Sequence, residues 1–209
     1  MTDTSEIHGI DVSHYQGDID WAKVKAAGIV FAYAKATDGD TYTDPKFHAN
    51  WQGMLGAGVL RGAYHFFQTN DDPATQANHF VEAIGALGAD DLPPVVDLEV
   101  SNGVYGGNSI AANLQIWLDT VESATGRTPM IYTNSGFWNK TVSGDFSRYP
   151  LWVAEYDVSA PKIPAGWSGW NLWQYSQSGV VDGVTGSVDL DILSEPTLTQ
   201  LMGWMLRGT

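Results

Sequence analysis

Through the first two thirds of the chain, short apolar runs rich in Val, Ile and aromatic residues alternate with stretches whose apolar positions recur every three to four residues. The runs predict strands over 7–13, 29–37, 59–67, 94–100 and 129–133. The stretches between them predict helices near 21–27, near 45–57, from Pro73 with Asp72 as its cap, and over 109–125. The third of these helices carries Ala77, Phe80, Val81, Ile84 and Leu87 on one face. The fourth carries Ile110, Leu114, Trp117, Leu118 and Val121 before Gly126 stops it.

Beyond the fifth strand the pattern changes. Strands over 151–156, 170–176 and 188–193 are separated by Pro- and Gly-rich stretches with little helical period, and a last helix is predicted over 198–206. Eight strands, a helix after each of the first five and loops between the rest predict an α/β fold, a modified TIM-like barrel of the form (β/α)5(β)3. It is read as a single domain over 1–209, with a core over about 7–195 and a closing helix over about 197–206.

Composition narrows the partners. A chain of 209 residues, 44% hydrophobic, can bury a substantial core. Ten Lys and Arg against 24 Asp and Glu leave a formal charge of −14, a field that repels phosphate backbones and argues against nucleic acid. The absence of cysteine excludes disulfides, thiolate metal sites and thiol nucleophiles. No window approaches the ~20 apolar residues of a membrane span, and the first six residues lack the basic start and apolar run of a signal peptide. No membrane partner is expected, and with no heptad or sticky stripe a monomer is expected.

In such a barrel, working groups gather where strands end beneath the βα loops. Asp11 ends the first strand, Asp97 and Glu99 end the fourth, and Asp189 and Asp191 lie on the eighth. Carboxylates converging on a barrel lumen lose hydration, which a mere scaffold gains nothing by. Asp97 and Glu99, two apart on a strand, face the same way with Cα atoms roughly 6.6 Å apart, twice the ~3.3 Å rise. Glycoside hydrolysis asks for such a pair: one carboxylic acid protonates the leaving oxygen, and one carboxylate meets positive charge at the sugar. Rotamers alone place this pair in the retaining or the inverting bracket. Plainer readings make Asp11 a turn former before Ser13, and one of Asp189 and Asp191 a cap or ion-pair partner.

Taken in order, several segments resemble glycoside hydrolase family 25, the Chalaropsis-type lysozymes. They are Gly9-Ile10-Asp11-Val12-Ser13 with Gln16, Ala34-Lys35-Ala36-Thr37-Asp38-Gly39, Gly62-Ala63-Tyr64-His65-Phe66, Asp97-Leu98-Glu99, Ile131-Tyr132-Thr133, Leu151-Trp152-Val153-Ala154-Glu155-Tyr156, Leu172-Trp173-Gln174-Tyr175 and Val188-Asp189-Leu190. Each is weakly specific alone; all of them in this order are highly specific. The resemblance implies cofactor-free hydrolysis of the β-1,4 bond between N-acetylmuramic acid and N-acetylglucosamine in bacterial peptidoglycan. Glu99 would be the general acid, and Asp97 either the nucleophile or the group that orients the substrate's own 2-acetamido. Asp11 and Asp189 match the family's two further acids, expected to tune Glu99 and hold the −1 sugar. Asn is common in the family where this chain has Asp191, which leaves open which of Asp189 and Asp191 faces the sugar.

With that frame, Tyr64, Phe66, Tyr132, Trp152, Tyr156 and Trp173, at or near strand ends, are expected to ring a sugar-binding groove, joined by the polar Lys35, Glu155 and Asp191. Trp117 and Phe80, on helix stripes, are read as core. His65, adjacent to Tyr64 on a strand, points away from it and is read as a packing histidine. The substrate implies extracellular action, by secretion or by phage-type release on host lysis. Two rivals remain. Asp11, Asp97, Glu99 and Asp189 could ligate Mg²⁺ or Mn²⁺, although no close His pair supports a transition metal. Alternatively, the barrel could bind wall without cutting it.

Overall fold

The computed structural model describes residues 7–103 and 107–193, excluding the side chains of residues 107 and 108. The helix expected over 197–206 lies outside the described residues. In chain order the elements are β1 (His8–Val12), α1 (Trp21–Ala26), β2 (Phe31–Asp38), β3 (Tyr42–Thr43), α2 (Phe47–Ala57), β4 (Leu60–Phe66), α3 (Pro73–Ile84), β5 (Val95–Asp97), α4 (Gly107–Thr125), β6 (Met130–Thr133), α5 (Ser135–Thr141), β7 (Leu151–Ala154), β8 (Leu172–Gly179) and β9 (Val188–Leu193). Local chemistry fits these bounds. Asp72 accepts the Thr75 amide at 2.8 Å ahead of Pro73, and Asn134 caps α5 by accepting the Phe137 amide at 2.8 Å.

Strands β1, β2, β4, β5, β6, β7, β8 and β9 close into an eight-stranded barrel, and β3 folds back as a short hairpin on the end of β2. Every barrel pairing is parallel except those of β9, which runs antiparallel to both β8 and β1. The expected modified barrel is therefore present, with helices following each of its first five strands. Among the described residues no helix is long and apolar enough to cross a membrane.

Three apolar layers follow from strand alternation. Strand side chains facing the helices, such as Ile10, Val96, Leu98 and Ile131, join helix residues such as Phe80 and Trp117 in the largest cluster. The barrel interior is filled by Phe31, Tyr33, Leu92, Val95, Met130, Trp152, Leu172 and Leu193. On the side without helices, Leu151, Val153, Trp173 and Ile192 face outward and are covered by Ile163, Trp167 and Trp170 from loops. Large interior rings need small neighbours. Gly9 sits beside Phe31 on the adjoining strand, and Gly62 sits beside Tyr33; a Cβ at either position would lie 2.2 or 2.1 Å from the ring.

Candidate active site

The interior packing stops short of the upper rim, leaving a cleft of about 320 Å³. Asp11 is the inward residue near the top of β1, and Lys35, Tyr64 and Phe66 enter from β2 and β4. Asp97 comes from β5, Tyr132 from β6, Trp152 and Tyr156 from β7 and the loop after it, and Asp189 from β9; all of these line the cleft together with Glu99. A bulge between Lys35 and Thr37 separates their fates. Lys35 reaches the cleft, while Thr37 faces the helix side and hydrogen-bonds His65 at 2.7 Å.

β5 ends as a paired strand at Asp97, yet the chain stays extended for two more residues. The Leu98 amide donates to the Tyr132 carbonyl at 3.0 Å, and Thr133 Oγ1 donates to the Leu98 carbonyl at 2.8 Å. Leu98 is pinned in the helix-side core, so Asp97 and Glu99 emerge on the cleft side together. Asp97 is buried and its Oδ1 has no hydrogen-bond partner. Burial raises its pKa well above the usual carboxylate range, with the charges of Glu99 and Asp11 adding to the effect. Glu99 is less enclosed; burial raises it, the Lys35 ammonium pulls it down, and Asp189 pushes it up again. Lys35 also donates to Asp38 Oδ2 at 2.6 Å and lies 4.6 Å above the Phe66 ring, so the cation is held beside the pair.

Across the cleft, Asp11 and Asp189 stand opposite one another in the β1–β9 ladder. Burial raises Asp11 well above its usual range, as does the neighbouring Asp189 charge, while the Gln174 amide opposes the shift. Burial pushes Asp189 up to about 6. Gln174 ties this wall to the next: its Nε2 donates to Asp11 Oδ2 at 2.6 Å, and its Oε1 accepts from Tyr132 and Tyr156 hydroxyls at 2.8 and 2.6 Å. Burial keeps those phenols protonated, raising Tyr132 well above 10 and Tyr156 to about 12, so both remain donors and fix which way the Gln174 amide points.

Three residues expected around the groove lie elsewhere. Trp173 points out of the barrel, packs on Trp170 and Tyr175, and donates its Nε1 to the Glu155 carbonyl at 2.7 Å. Glu155 likewise faces out, held by the amide of Lys162 and its ammonium at 3.6 Å. Asp191 does face inward, but one layer below the cleft: it pairs with Gly9 where Asp189 pairs with Asp11, and its Oδ1 accepts from Trp152 Nε1 at 3.0 Å. On an antiparallel strand the start, not the end, reaches the open face, which puts Asp189 at the cleft and Asp191 beneath it.

His65, as read from strand parity, is buried between Thr37 and Gln76, stacked on Trp117, and burial holds it near a pKa of about 3. Ser13, Tyr15, Gln16, Gln174 and Gln177 line the cleft without having been singled out as site residues. Gln174 was findable, because it shares strand parity with the apolar Leu172. Among the described residues no group of three or more His, Asp or Glu is arranged to hold a metal ion.

The chain matches the model of glycosyl hydrolases family 25 over residues 10–184. Lysozyme M1 of Streptomyces globisporus is 41% identical over 198 residues, covering 90% of this chain and 67% of that protein. An N,O-diacetylmuramidase of Chalaropsis sp is 34% identical over 204 residues, covering 88% of this chain and 96% of the other. Among solved structures, the bacterial lysozyme from Streptomyces coelicolor superposes with a TM-score of 0.91 at 35% identity, over 99% of this chain and 100% of that one.

Proposed function

The chain belongs to glycosyl hydrolases family 25, and from that premise we propose that it is a muramidase cutting the β-1,4 bond from N-acetylmuramic acid to N-acetylglucosamine in bacterial peptidoglycan. The observation that carries the reading is the Asp97–Glu99 pair, projecting together into a cleft whose burial favours a bound proton on the pair. Peptidoglycan lies outside the cytoplasm, so the enzyme acts there, reached by secretion or by lysis of the producing cell.

Glu99, the more open of the two, gives its proton to the glycosidic oxygen as the bond to the anomeric carbon breaks. Asp97 meets the positive charge left on the sugar. It does so either by bonding to the anomeric carbon or by accepting the N–H of the 2-acetamido group, whose oxygen then closes on that carbon. In both routes water next attacks the anomeric carbon, its proton returns to Glu99, and the configuration is retained. Asp189, opposite the pair, raises Glu99, and with Asp11 beside it adds negative potential that stabilises the developing cation. Tyr64, Tyr132 and Trp152 wall the position of the reacting sugar.

The decisive experiment incubates purified protein with peptidoglycan and identifies the new reducing end. N-acetylmuramic acid at that end is the expected result; N-acetylglucosamine there would remove the muramidase reading and leave the fold intact. Activity undiminished by EDTA is expected, since no step runs through a metal. Intact wall bound without any reducing end released would instead make the barrel a binding module. A trapped covalent sugar on Asp97 distinguishes the nucleophile route from the acetamido route.

A further inference from the structure

A one-turn 3-10 segment, His14–Gln16, follows β1 and carries Tyr15 at the mouth of the cleft with 82% of its surface exposed. The ring belongs to none of the core clusters. Yet the backbone beneath it is held on every side. Ser13 Oγ accepts the Tyr15 amide at 3.3 Å, Gln16 Oε1 accepts the Ser13 amide at 2.9 Å, and Gln16 Nε2 donates to the Ser187 carbonyl at 3.2 Å. The His14 amide and Nδ1 both reach the buried Asp44 Oδ2, at 3.0 and 2.7 Å. An exposed ring on a fixed backbone is a contact surface ordered before its ligand arrives.

Tyr42 on the β3 hairpin, 41% exposed, extends that surface. The His14 ring lies 4.2 Å from the ring of Tyr15 and 6.1 Å from that of Tyr42, so the three form an aromatic ridge leading away from the cleft. We propose that this ridge is a further saccharide subsite, taking an uncharged N-acetylglucosamine ring of the glycan strand beyond the bond being cut; it rests on the muramidase reading of the cleft. Continuity supports it, because Tyr15 and Gln16 line the same cleft as Asp11. Chemistry supports it, because tyrosine faces cover the C–H surface of a pyranose while their hydroxyls remain wet. Charge chooses the occupant: Asp38 and Asp44 lie within electrostatic reach of Tyr42, and the chain's formal charge is −14, a field that opposes the carboxylates of a stem peptide but not a neutral sugar.

The test compares kcat/KM on peptide-free glycan strands of about eight and about four sugars. The ratio of long to short falls about tenfold in Tyr15→Ala, the size expected when one aromatic face leaves a binding contact, and Tyr15→Trp restores it. A Tyr15→Ala ratio equal to that of the unsubstituted protein overturns the subsite. So does a loss confined to peptide-bearing strands, which assigns the ridge to stem peptide. If the unsubstituted protein cuts neither strand, the muramidase reading fails by itself. The ridge is then judged by titration with N-acetylglucosamine oligomers, where unaltered affinity in Tyr15→Ala overturns it.

Discussion

Gln174 donates its amide to Asp11 Oδ2 at 2.6 Å, and two phenols, from Tyr132 and Tyr156, claim its oxygen, so the amide cannot flip without breaking all three contacts. The contact stabilises ionised Asp11 against the burial that opposes it. In Gln174→Leu, the buried Tyr132 phenol left without an acceptor costs about 1–3 kcal/mol, and the half-buried Tyr156 phenol turns to water. In Gln174→Glu the phenols keep their acceptor while Asp11 loses its donor and gains a like charge. Asp11 then rises further, and the acidic limb of kcat/KM against pH moves to higher pH, with a loss on the order of 10²-fold from the displaced cleft wall. A pH profile of Gln174→Glu superimposable on the parent's would remove Gln174 from the positioning role.

The second prediction concerns the acid. Burial raises Glu99, so its proton persists above the usual carboxylate range and catalysis declines as pH climbs through that raised value. Glu99→Gln should lower kcat by about 10²–10⁴-fold and erase the basic limb. Turnover at the parent's level in Glu99→Gln would end the assignment.

Stability should carry the same signature in thermal unfolding. The folded-state pKa values of Asp11, Asp97, Asp189 and Asp191 lie above an unfolded value of about 3.9. Between those limits the folded chain binds more protons than the unfolded one, so stability falls as pH rises. The contribution is intact below about pH 3.9 and is lost as pH climbs through about 6 for Asp189 and through the raised range of the others. Asp18, Asp20 and Asp72 are lowered and act the opposite way, but they are fully exposed and screened. Asp191→Asn removes a buried acid whose Oδ2 has no partner. It should raise the midpoint at pH 8 by roughly 3 °C or more and leave pH 4 nearly unchanged. Equal effects at both pH values would count against a charge mechanism.

Packing makes a fourth prediction. A methyl at Gly62 would lie 2.1 Å from the Tyr33 ring, which cannot swing away because its hydroxyl is tied to the Pro93 carbonyl at 3.3 Å. Gly62→Ala should cost about 1–3 kcal/mol in chemical denaturation, and Tyr33→Leu should relieve part of it in the double variant. Additive losses would show that the ring is not the obstacle.

Much of this architecture was readable from hydrophobic period alone, because helix-facing and lumen-facing layers differ in character over the first five strands. Asp97 and Glu99 were found through parity, and so were the inward facing of Tyr64 and the outward facing of His65. On β8 alternation alone leaves the inward face open, for a physical reason. No helix covers that side, and loops bearing Trp167 and Trp170 make the outer face as apolar as the inner one, so alternation does not say which face Trp173 takes. Glu155 lies between the cleft-lining Trp152 and Tyr156, so alternation turns it outward, toward Lys162. The sequence leaves open which of Asp189 and Asp191 faces the sugar, since the reversed direction of β9 is invisible in a strand-length apolar run. β3 escaped because a two-residue hairpin strand has no period to read.

The reversed strand has one more consequence. β9 is the stave that joins β8 to β1, so the wall holding Asp11 and Asp189 comes into being only when it is seated. A growing chain that has not yet reached Val188 already contains Asp97 and Glu99 but has no closed cleft to hold a sugar against them. Asp97 and Glu99 therefore face an open gap, with no acidic wall opposite them, until β9 is seated between β8 and β1.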